Sequence, residues 1–419
     1  MSAEALYIGI DLGTSGARAA VIDAAGTLHA TAKSAMADHG GDHRDPQIWW
    51  AAVRSALAAA LGMVEARAVR ALAVDGTSGT MVGLGADGAV IGTGLMYNDP
   101  CPDPAILDAI ARHAPPTSAA HGPTSGAARA VLLSRRGAVR MAHQADWIAS
   151  RLCGAWVSDA NNALKTGYDP VAARWPDWLA AAGVDLRTLP PVVEPGTVTG
   201  RVTPAAAAAF GLPPDCRVVA GTTDGCASFL ATGAEAAGDG VTALGTTLTV
   251  KLLSDRPIFA PEYGIYSHRF LGRWLAGGAS NSGGAALLAH FTAAQMADLS
   301  PRIDPDQDTG LDFYPLPAPG ERFPIADPAL PSRTIPRPAD DARFLHALFE
   351  GIAGIEALAY RRLAELGAPA LTSVRTVGGG AANPVWTRLR ARRLGVAMPA
   401  PRSDEAAFGT ALLALRGAA

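Results

Sequence analysis

The chain opens on a strand that ends in an acid and turns back at once. Alternating apolar residues over 6–12 carry Asp11, small and hydroxyl residues fill 13–16, and 17–22 return as a second strand. Such a hairpin tip offers a carboxylate, two hydroxyls and closely spaced N–H groups, which suit a metal ion and phosphate oxygens. A phosphate loop of the G-x-x-x-x-G-K-[ST] type is absent from the sequence. The alternative is that this turn is only a tight connection.

Length and composition restrict the classes of protein. A chain of 419 residues, 49% hydrophobic, exceeds one comfortable core and predicts two globular domains. A net charge of −3 gives no basic surface for nucleic acid. The four cysteines form no C-x-x-C pair, which is typical of a reducing compartment. The first strand begins too early to leave room for a signal peptide. Charged residues interrupt the apolar run at 51–74, so this run is not expected to span a membrane. We therefore expect a soluble, cytoplasmic protein with neither a nucleic-acid nor a membrane partner.

Two later predicted strands also end in acids. Residues 69–74 lead to Asp75-Gly76-Thr77-Ser78, and residues 217–223 lead to Asp224, directly before a helix predicted at 226–232. Polar residues at the carboxyl ends of strands line the crevice of an α/β sheet. A helix cap is the alternative role of Asp224. The polar stretch 158–169 has no helical stripe and is interpreted as a loop, either solvated surface or part of a site.

The opening hairpin recurs in the second half of the chain. Four residues repeat at identical internal spacing: Leu12, Gly13, Thr14 and Asp23 match Leu244, Gly245, Thr246 and Asp255. This indicates an internal duplication with a boundary near 232–238. We therefore expect domains at 1–232 and 233–419, with the last helix able to pack back on the first domain.

The end of the chain predicts a second ligand loop. A long amphipathic helix is expected to about Leu366, after an irregular, proline-rich surface segment at 315–338. Then a strand at 374–377 meets Gly378-Gly379-Gly380 and a helix over 384–394. Such a turn lets a flat ligand approach the backbone, although a purely structural turn is the alternative. The simplest assembly is a cleft between two halves, in which both hairpin turns bind the phosphates of ATP. Asp11 would bind a metal ion, and Asp224 would act as the base that takes a proton from the acceptor.

These residues resemble the FGGY carbohydrate kinases over the whole length of the chain. The resemblance is carried by I-G-I-D-L-G-T-S-G at 8–16, A-G-T-T-D-G at 220–225, L-G-T-T at 244–247 and G-G-G-A-A-N at 378–383. It implies an α/β fold of two duplicated ribonuclease-H-like domains, as in actin, hexokinase and the Hsp70 ATPase domain, with a catalytic cleft between them. It also implies ATP and Mg²⁺ as cofactors, and a monomer or homodimer.

Further stretches resemble one subgroup, the compact xylulokinase-like D-ribulokinases of cyanobacteria and plant chloroplasts. They are D-G-T-S at 75–78, H-Q-A-D-W at 143–147, S-D-A-N-N-A-L-K-T-G-Y-D-P at 158–170, Y-S-H-R at 266–269 and G-E-R-F-P-I-A-D-P at 320–328. This resemblance implies an ATP-dependent kinase that converts D-ribulose to D-ribulose 5-phosphate. D-xylulose is the alternative acceptor.

The resemblance also implies roles for individual residues. The catalytic residues would be Asp224, Asp11 and Thr14, and the Mg²⁺ ligands Asp11 and Asp224. The sugar would be bound by Ser78, Asp75, Asp11 and Asp224. The nucleotide would be bound by Gly13, Thr14, Ser15, Gly245, Thr246, Thr247, Gly378, Gly379, Asn383 and Trp386, with the adenosine on the last three.

The sequence departs from the family pattern on the sugar side. Typical members carry W-x-D-x-R, but residues 97–101 here lack the arginine, so Asp99 is a weak candidate for a sugar ligand. Lys165 and His268 belong to the subgroup motifs without a role that we can derive. Two further alternatives are an actin-like or Hsp70-like ATPase, and a degenerate kinase that binds sugar without turnover. The polar segments at 75–78 and 158–169 favour a sugar kinase over the former, and the presence of both Asp11 and Asp224 argues against the latter.

Overall fold

The structure is a computed structural model that describes residues 4–419. The chain forms two compact units. Unit 1 contains the described residues up to Ala231 together with 268–272 and 405–419, and unit 2 contains 232–267 and 273–404. The sequence predicted a division after residue 232 with a last helix able to pack back on the first domain. The structure places 405–419 in unit 1 in that way, and it also places 268–272 there, which the sequence did not predict.

Unit 1 is built on a six-stranded sheet with helices packed against it. Its strands are β1 (Leu6–Leu12), β2 (Gly16–Asp23), β3 (Leu28–Ala35), β4 (Val69–Gly76), β5 (Met81–Leu84), β6 (Arg140–His143), β7 (Ser158–Asp159), β8 (Val192–Val193), β9 (Val198–Arg201) and β10 (Arg217–Thr223). Its helices are α1 (Pro46–Leu61), α2 (Pro104–His113), α3 (Gly126–Arg135), α4 (Gln144–Cys153), α5 (Ala160–Leu164), α6 (Trp178–Ala181), α7 (Pro204–Phe210) and α8 (Asp224–Ala231).

The order of strands in this sheet is β3-β2-β1-β4-β10-β9. The hairpin partners β1 and β2 are antiparallel, while β1, β4 and β10 run parallel to one another. All seven residues of β1 are buried, which is typical of a strand covered on both faces. The carboxyl ends of the three parallel strands therefore lie at one edge of the sheet.

The last helix of unit 1, α13 (Ala406–Ala418), packs directly on this sheet. A Cβ atom on Gly9 of β1 would lie 2.0 Å from the carbonyl oxygen of Ala407, so only glycine allows the helix to come this close. Residues 406–414 are buried, which makes this segment part of the core of unit 1.

Unit 2 repeats the hairpin and the parallel partner. Its elements are β11 (Asp239–Leu244), β12 (Leu248–Ser254), β14 (Arg273–Ser280), β15 (Ser373–Val377), α9 (Gly284–Leu288), α10 (Ala293–Leu299), α11 (Asp341–Glu365) and α12 (Pro384–Leu394), while β13 (Tyr266–Phe270) crosses the division between the units. The order β14-β12-β11-β15 has β11 antiparallel to β12 and parallel to β15. This arrangement matches that of β2, β1 and β4, as the internal duplication predicted.

A buried ion pair joins the helices of unit 2 to its sheet. Arg390 of α12 donates to Glu356 of α11 from two nitrogens, each at 2.6 Å, and both side chains are fully buried. Thr242 of β11 donates to the same carboxylate at 2.5 Å, and Arg390 also donates to Thr376 of β15 at 2.9 Å. The Glu356–Arg390 ion pair and its two threonine partners therefore link helices α11 and α12 to strands β11 and β15.

Local signals explain where several elements begin. Asp45 accepts a hydrogen bond from the N–H of Gln47 at 2.8 Å, and Pro46 is the first residue of α1. Helix α12 occupies the predicted residues 384–394, and Gly395 ends it in a left-handed conformation. Within residues 4–419, every helix is either too short or too polar to cross a membrane.

Two expectations about loops were wrong. Residues 158–169, interpreted as a loop, contain β7 and α5, and most of their side chains are buried. The segment 315–338 is irregular as predicted but is not confined to the surface, since Phe323 and Glu321 are buried in it. In both cases, the polar groups are buried because they find hydrogen-bond partners elsewhere in their unit.

Candidate active site

Three carboxylates meet at one edge of the sheet in unit 1. Asp11 of β1 is in register with Asp75 of β4, and Thr223, directly before Asp224, is in register with Gly76. The parallel register thus brings together three acids that lie far apart in the sequence. The prediction that these strands end on one polar site is reproduced by the strand order.

Asp75 is fully buried, with Asp11, Asp224 and Thr410 as its polar neighbours. Burial raises the pKa of its carboxyl well above the usual range, and the negative charges of Asp11 and Asp224 raise it further. Thr410 of α13 donates a hydrogen bond to one carboxyl oxygen, and the other carboxyl oxygen is buried without a hydrogen-bond partner within residues 4–419. Asp75 therefore lies fully buried beside Asp11, and its contact with the sugar stays a prediction.

The predicted phosphate turn follows Asp11. The N–H of Gly13 donates to the carbonyl oxygen of Gly16 at 3.0 Å, which closes the turn and leaves Thr14 and Ser15 exposed at its tip. Asp11 itself is buried and accepts a hydrogen bond from Arg18 of β2 at 3.0 Å. The hydroxyls at the tip are therefore available to a ligand, while the carboxylate is held by an arginine.

Asp224 is the first residue of α8 and is half-buried. Its carboxylate accepts a hydrogen bond from the N–H of Gly225 at 2.6 Å, which orients the side chain at the start of the helix. It also lies close enough to Asp75 to raise the pKa of that group. A half-buried, oriented carboxylate beside other acids has the environment of a general base.

Two polar atoms near the 77–80 turn are buried without a hydrogen-bond partner among residues 4–419. They are the hydroxyl of Ser78 and the amide nitrogen of Gln144. The amide oxygen of Gln144 is engaged, because it accepts from both the N–H and the hydroxyl of Thr77. An unsatisfied buried polar group is costly, so this pair of atoms suits the hydroxyls of a polyol. Sequence reasoning did not assign Gln144, although the motif at 143–147 contained it.

Helix α5 supports the strand that leads to Asp224. Asp159 caps the helix, and its pKa is raised to about 7 by burial, with the charge of Asp146 adding to the effect. The amide of Asn161 donates to the hydroxyl of Thr222 at 2.9 Å, and that of Asn162 donates to the carbonyl oxygen of Thr222 at 3.2 Å. The segment 158–169 therefore orders β10 two residues before Asp224.

The other candidates on the sugar side have diverse surroundings. Asp99 forms an ion pair with Arg44 at 2.5 Å and accepts from the N–H of Met96, so its carboxylate is already engaged. The side-chain stem of Lys165 lies beside Gly79, next to Ser78. His268 is buried in unit 1. None of these contacts identifies a sugar ligand.

Unit 2 contains a pocket of about 710 Å³ that the nucleotide-binding candidates help to form. Gly245, Thr246, Gly379, Asn383 and Trp386 line it, and Gly378 and Thr247 are adjacent in the chain. The N–H groups of Gly284 and Ala285, at the start of α9, bind the carbonyl oxygens of Gly245 and Thr246 at 2.9 and 3.0 Å. This fixes the hairpin turn at the mouth of an otherwise apolar pocket.

The glycine-rich turn and Trp386 form one wall of this pocket. Trp386 is buried and stacks on Phe349 of α11, with ring centroids 4.7 Å apart and planes at 9°. Asn383 caps α12 by accepting from the N–H of Trp386 at 3.0 Å. A Cβ atom on Gly380 would lie 2.8 Å from the Trp386 ring, so the indole supports the turn from behind. Both predicted residues thus shape the pocket wall.

Sequence reasoning missed the opposite wall. Leu288, Met296 and Ala297 of α9 and α10 line the pocket, and Leu288 is exposed although it is apolar. Glu321, also missed, is buried and accepts from the hydroxyl of Ser280 and the N–H of Asn281 at 2.5 and 2.7 Å, which holds the turn before α9. Within the sequence, the only signal for this wall was the glycine-rich turn at 277–284 before a helix, to which we assigned no function.

The arrangement of Asp11 and Asp224 in unit 1 is that of a magnesium site with few protein ligands, and not that of a metal site enclosed by protein side chains. Within residues 4–419, Glu4, Asp23 and His29 are the one set of three metal-binding side chains whose ligand atoms lie within 4.8 Å of each other. Asp11 and Asp224 belong to no such set. Mg²⁺ is usually held by one or two carboxylates and keeps several waters, so the pair fits the ion.

Two domains of one family match most of the chain. Residues 133–231 match the N-terminal domain of the FGGY family of carbohydrate kinases, and residues 240–418 match its C-terminal domain. Among curated proteins, the xylulose kinase of Klebsiella pneumoniae is 28% identical over 324 residues, 70% of this chain and 67% of that protein. An autoinducer-2 kinase of Yersinia pestis is 30% identical over 295 residues, 64% of this chain and 55% of that protein.

A solved structure matches nearly the entire chain. The xyloylose kinase of Brucella ovis superimposes with a TM-score of 0.88 at 26% identity, covering 99% of this chain and 90% of that one. This confirms the predicted two-domain α/β fold of the actin and hexokinase type. The two family domains and this match together establish that the chain belongs to the FGGY family of carbohydrate kinases.

Proposed function

We propose that the protein transfers the γ-phosphoryl group of ATP to the terminal hydroxyl of a ketopentose, and that D-ribulose is converted to D-ribulose 5-phosphate. The observation that carries the proposal is the meeting of Asp11 and Asp224 beside buried Asp75, at the carboxyl ends of parallel strands. An oriented carboxylate near a metal-binding carboxylate supplies what phosphoryl transfer requires, namely a base for the acceptor and neutralisation of phosphate charge.

Asp224 acts on the acceptor. Its carboxylate, oriented by the N–H of Gly225, takes the proton of the C5 hydroxyl as that oxygen attacks the γ-phosphorus and the bond to the bridging oxygen of ADP breaks. The unsatisfied hydroxyl of Ser78 and amide of Gln144 bind sugar hydroxyls and place C5 near this base.

The donor is bound in unit 2. The base and ribose occupy the apolar pocket between α9–α10 and the Gly378–Asn383 turn, and the phosphates reach the hairpin turn at Gly245 and Thr246. A pocket of about 710 Å³ is within the range that accommodates small-molecule ligands. In unit 1, Gly13 closes the turn through its N–H, and Thr14 and Ser15 at the exposed tip present their N–H groups and hydroxyls to the transferred phosphoryl group.

Asp11 and Asp224 would hold Mg²⁺, which supplies neutralisation of phosphate charge when it is bound. Burial and the charges of Asp11 and Asp224 raise the pKa of Asp75, which favours its uncharged form and reduces the repulsion among the three neighbouring acids. Arg18 balances part of the remaining charge of Asp11.

The choice of D-ribulose is supported by the subgroup motifs at 75–78, 158–170 and 320–328. D-xylulose is the second candidate, because relatives named xylulose kinases match the chain. The two sugars differ only in the configuration of one hydroxyl, so a few hydrogen bonds determine the choice. A cytoplasmic location and a monomeric or homodimeric state remain predictions from the sequence.

The test is a coupled ADP-release assay with Mg·ATP and a panel of acceptors: D-ribulose, D-xylulose, L-ribulose, L-xylulose, ribitol and glycerol. Each acceptor is also measured with the Asp224→Asn variant, which retains the shape of the side chain and reports any contaminating kinase. We expect the highest kcat/KM with D-ribulose, and sugar-dependent release at least about 10²-fold slower with the variant.

Preference for D-xylulose would replace the substrate but keep the reaction. Sugar-independent ADP release of equal rate with every acceptor would indicate an ATPase and refute the kinase proposal. Full activity of the Asp224→Asn variant would remove the base from the mechanism while leaving the sugar assignment intact.

A further inference from the structure

A second cavity in unit 2, of about 830 Å³, has no part in the proposed reaction. It lies among α11, α12 and the irregular segment 308–335. The same two helices form the nucleotide pocket through Phe349 and Trp386, whereas Gly354 and Leu389 line the second cavity. The cavity is thus distinct from the nucleotide pocket but built on the same helices.

The base of this cavity is apolar. Ile355 and Leu389 are buried beneath it, and Leu358 is partly exposed along the same face of α11. Above Gly354 there is open space, because a Cβ atom on this residue would meet only a nitrogen of Arg393, at 3.9 Å. An apolar group can therefore lie directly on the helix at this point.

Four arginines line the cavity, and two of them are neutralised. Arg392 pairs with Asp308 at 2.5 Å and Arg333 with Asp312 at 2.8 Å. The remaining two, Arg361 and Arg393, are exposed and form no hydrogen bond or ion pair within residues 4–419.

One further acid, Glu350, lines the cavity and is also engaged. It accepts a hydrogen bond from the N–H of Thr309 at 3.1 Å and lies 4.0 Å from Arg392. All three acids of the lining therefore have partners, while two guanidinium groups have none. With four arginines and three acids in its lining, the cavity combines an apolar base with an excess of one positive charge.

We propose that this cavity binds a small organic phosphate, whose phosphate group is held by Arg361 and Arg393 and whose apolar body lies over Gly354, Ile355 and Leu389. Guanidinium groups suit a phosphate dianion because each can donate two parallel hydrogen bonds. A free inorganic ion would leave the apolar base uncovered, so the apolar body contributes to affinity. Two solvated surface arginines without a ligand are the alternative.

The probe is phenyl phosphate, with inorganic phosphate and phenol as its two halves, and binding to the full chain is measured by calorimetry. We expect phenyl phosphate to bind with a dissociation constant below about 1 mM and both halves to bind at least about tenfold more weakly. The Arg361→Ala/Arg393→Ala variant should lose at least about tenfold in affinity.

A matched control removes two exposed arginines from unit 1. Neither Arg112 nor Arg136 has a side-chain partner within residues 4–419, so Arg112→Ala/Arg136→Ala changes the net charge equally and should bind as the wild type does. Gly354→Leu fills the open space without a change in charge and should also weaken binding at least about tenfold, with the fold checked by thermal melting.

Three results would overturn the proposal. They are no binding of phenyl phosphate to the wild type, equal binding to the wild type and to the Arg361→Ala/Arg393→Ala variant, and equal losses in the two arginine double variants. Inorganic phosphate that binds as tightly as phenyl phosphate would also overturn it, because the site would then hold an adventitious ion only.

Discussion

The buried ion pair between Glu356 and Arg390 provides the sharpest test of how unit 2 is held together. In Glu356→Gln, the shape of the side chain is kept, but its negative charge is removed and one oxygen becomes an NH₂ group facing the guanidinium. Arg390 then remains fully buried without its counter-charge, and it cannot lose its own proton. Breaking a buried pair in this way costs about 3–5 kcal/mol.

The structure supports an effect within that range. Glu356 accepts three short hydrogen bonds, from two nitrogens of Arg390 and from Thr242, and the substitution removes at least one charge-assisted bond. Such a bond contributes about 1.5–3 kcal/mol, and the cost of the buried cation adds to it. Both side chains are fully buried, so solvent does not screen the loss.

The assay is hydrogen exchange followed by mass spectrometry on peptides from α11 and α12. A loss of 3–5 kcal/mol corresponds to about a 10²- to 10³-fold decrease or more in protection, if exchange follows the opening equilibrium. The matched control is Glu365→Gln in the same helix, where the carboxylate is half-exposed and pairs with Arg362 at 2.8 Å. A surface pair contributes at most about 1 kcal/mol.

The refuting result is a Glu356→Gln variant whose protection in α11 and α12 lies within about a factor of five of that of Glu365→Gln, which corresponds to about 1 kcal/mol. It would mean that the carboxylate is replaceable and that α12 is held by apolar packing alone. The double replacement Glu356→Leu/Arg390→Met should recover most of the loss, because both buried charges are then removed.

Three further predictions concern the site. Asp224→Asn should lower kcat by about 10²- to 10⁴-fold, because the base is lost, while the affinity for nucleotide is retained. ADP release measures the rate and calorimetry measures the affinity. An equal loss of ATP affinity would indicate a structural role for Asp224. Trp386→Ala removes the stack on Phe349 and should raise the KM for ATP several-fold, with the sugar KM nearly unchanged; an unchanged KM for ATP would remove the indole from the pocket. Asp159 binds its proton more tightly in the folded chain, with a pKa of about 7, so its stabilising effect is lost as pH rises from about 4 through 7. Asp159→Asn should therefore flatten the decline in unfolding free energy, by up to about 1.4 kcal/mol per pH unit, in urea titrations across this range; an unchanged slope would contradict the assignment.

Local patterns predicted many of the elements that position the site. Asp45 and Pro46 mark the start of α1 by side-chain chemistry that acts over two or three residues, and the structure begins the helix there. The alanine-rich pattern continues past the end of α1 at Leu61, but a turn and a short 3₁₀ segment at 66–68 separate the helix from β4. Capping is local, whereas an alanine-rich pattern carries little information about where a helix stops.

Polar residues with distant partners could not be interpreted correctly. The amide of Asn161 binds the hydroxyl of Thr222 and the carbonyl oxygen of Arg269, which lie 61 and 108 positions further along the chain. Without those partners, a run of polar residues in the sequence resembles a solvated loop. The complete burial of Asp75 likewise depends on a distant residue, Thr410, which the sequence does not identify as its partner.

The sequence singled out the acids at the strand ends of unit 1 but not the α9–α10 wall of the pocket in unit 2. Strand ends and turn residues signal Asp11 and Asp224 directly, because polar side chains rarely end apolar strands without a reason. Leu288 and Met296 belong to short helices whose apolar side chains line a pocket instead of a core. An apolar helix face has the same pattern in both cases, so the sequence alone does not distinguish them.

The hydrogen bond between Thr410 and Asp75 spans 335 positions, and it has a consequence for biosynthesis. Residues 4–231 leave the ribosome long before α13 is made, yet β1 and β4 pack against that helix. The carboxylate cluster around Asp75 therefore matures only after almost the whole chain has been translated. Contacts between such remote segments form slowly. Before α13 is made, the nascent chain therefore exposes the apolar sheet face that α13 later covers, and we expect a chaperone to bind it.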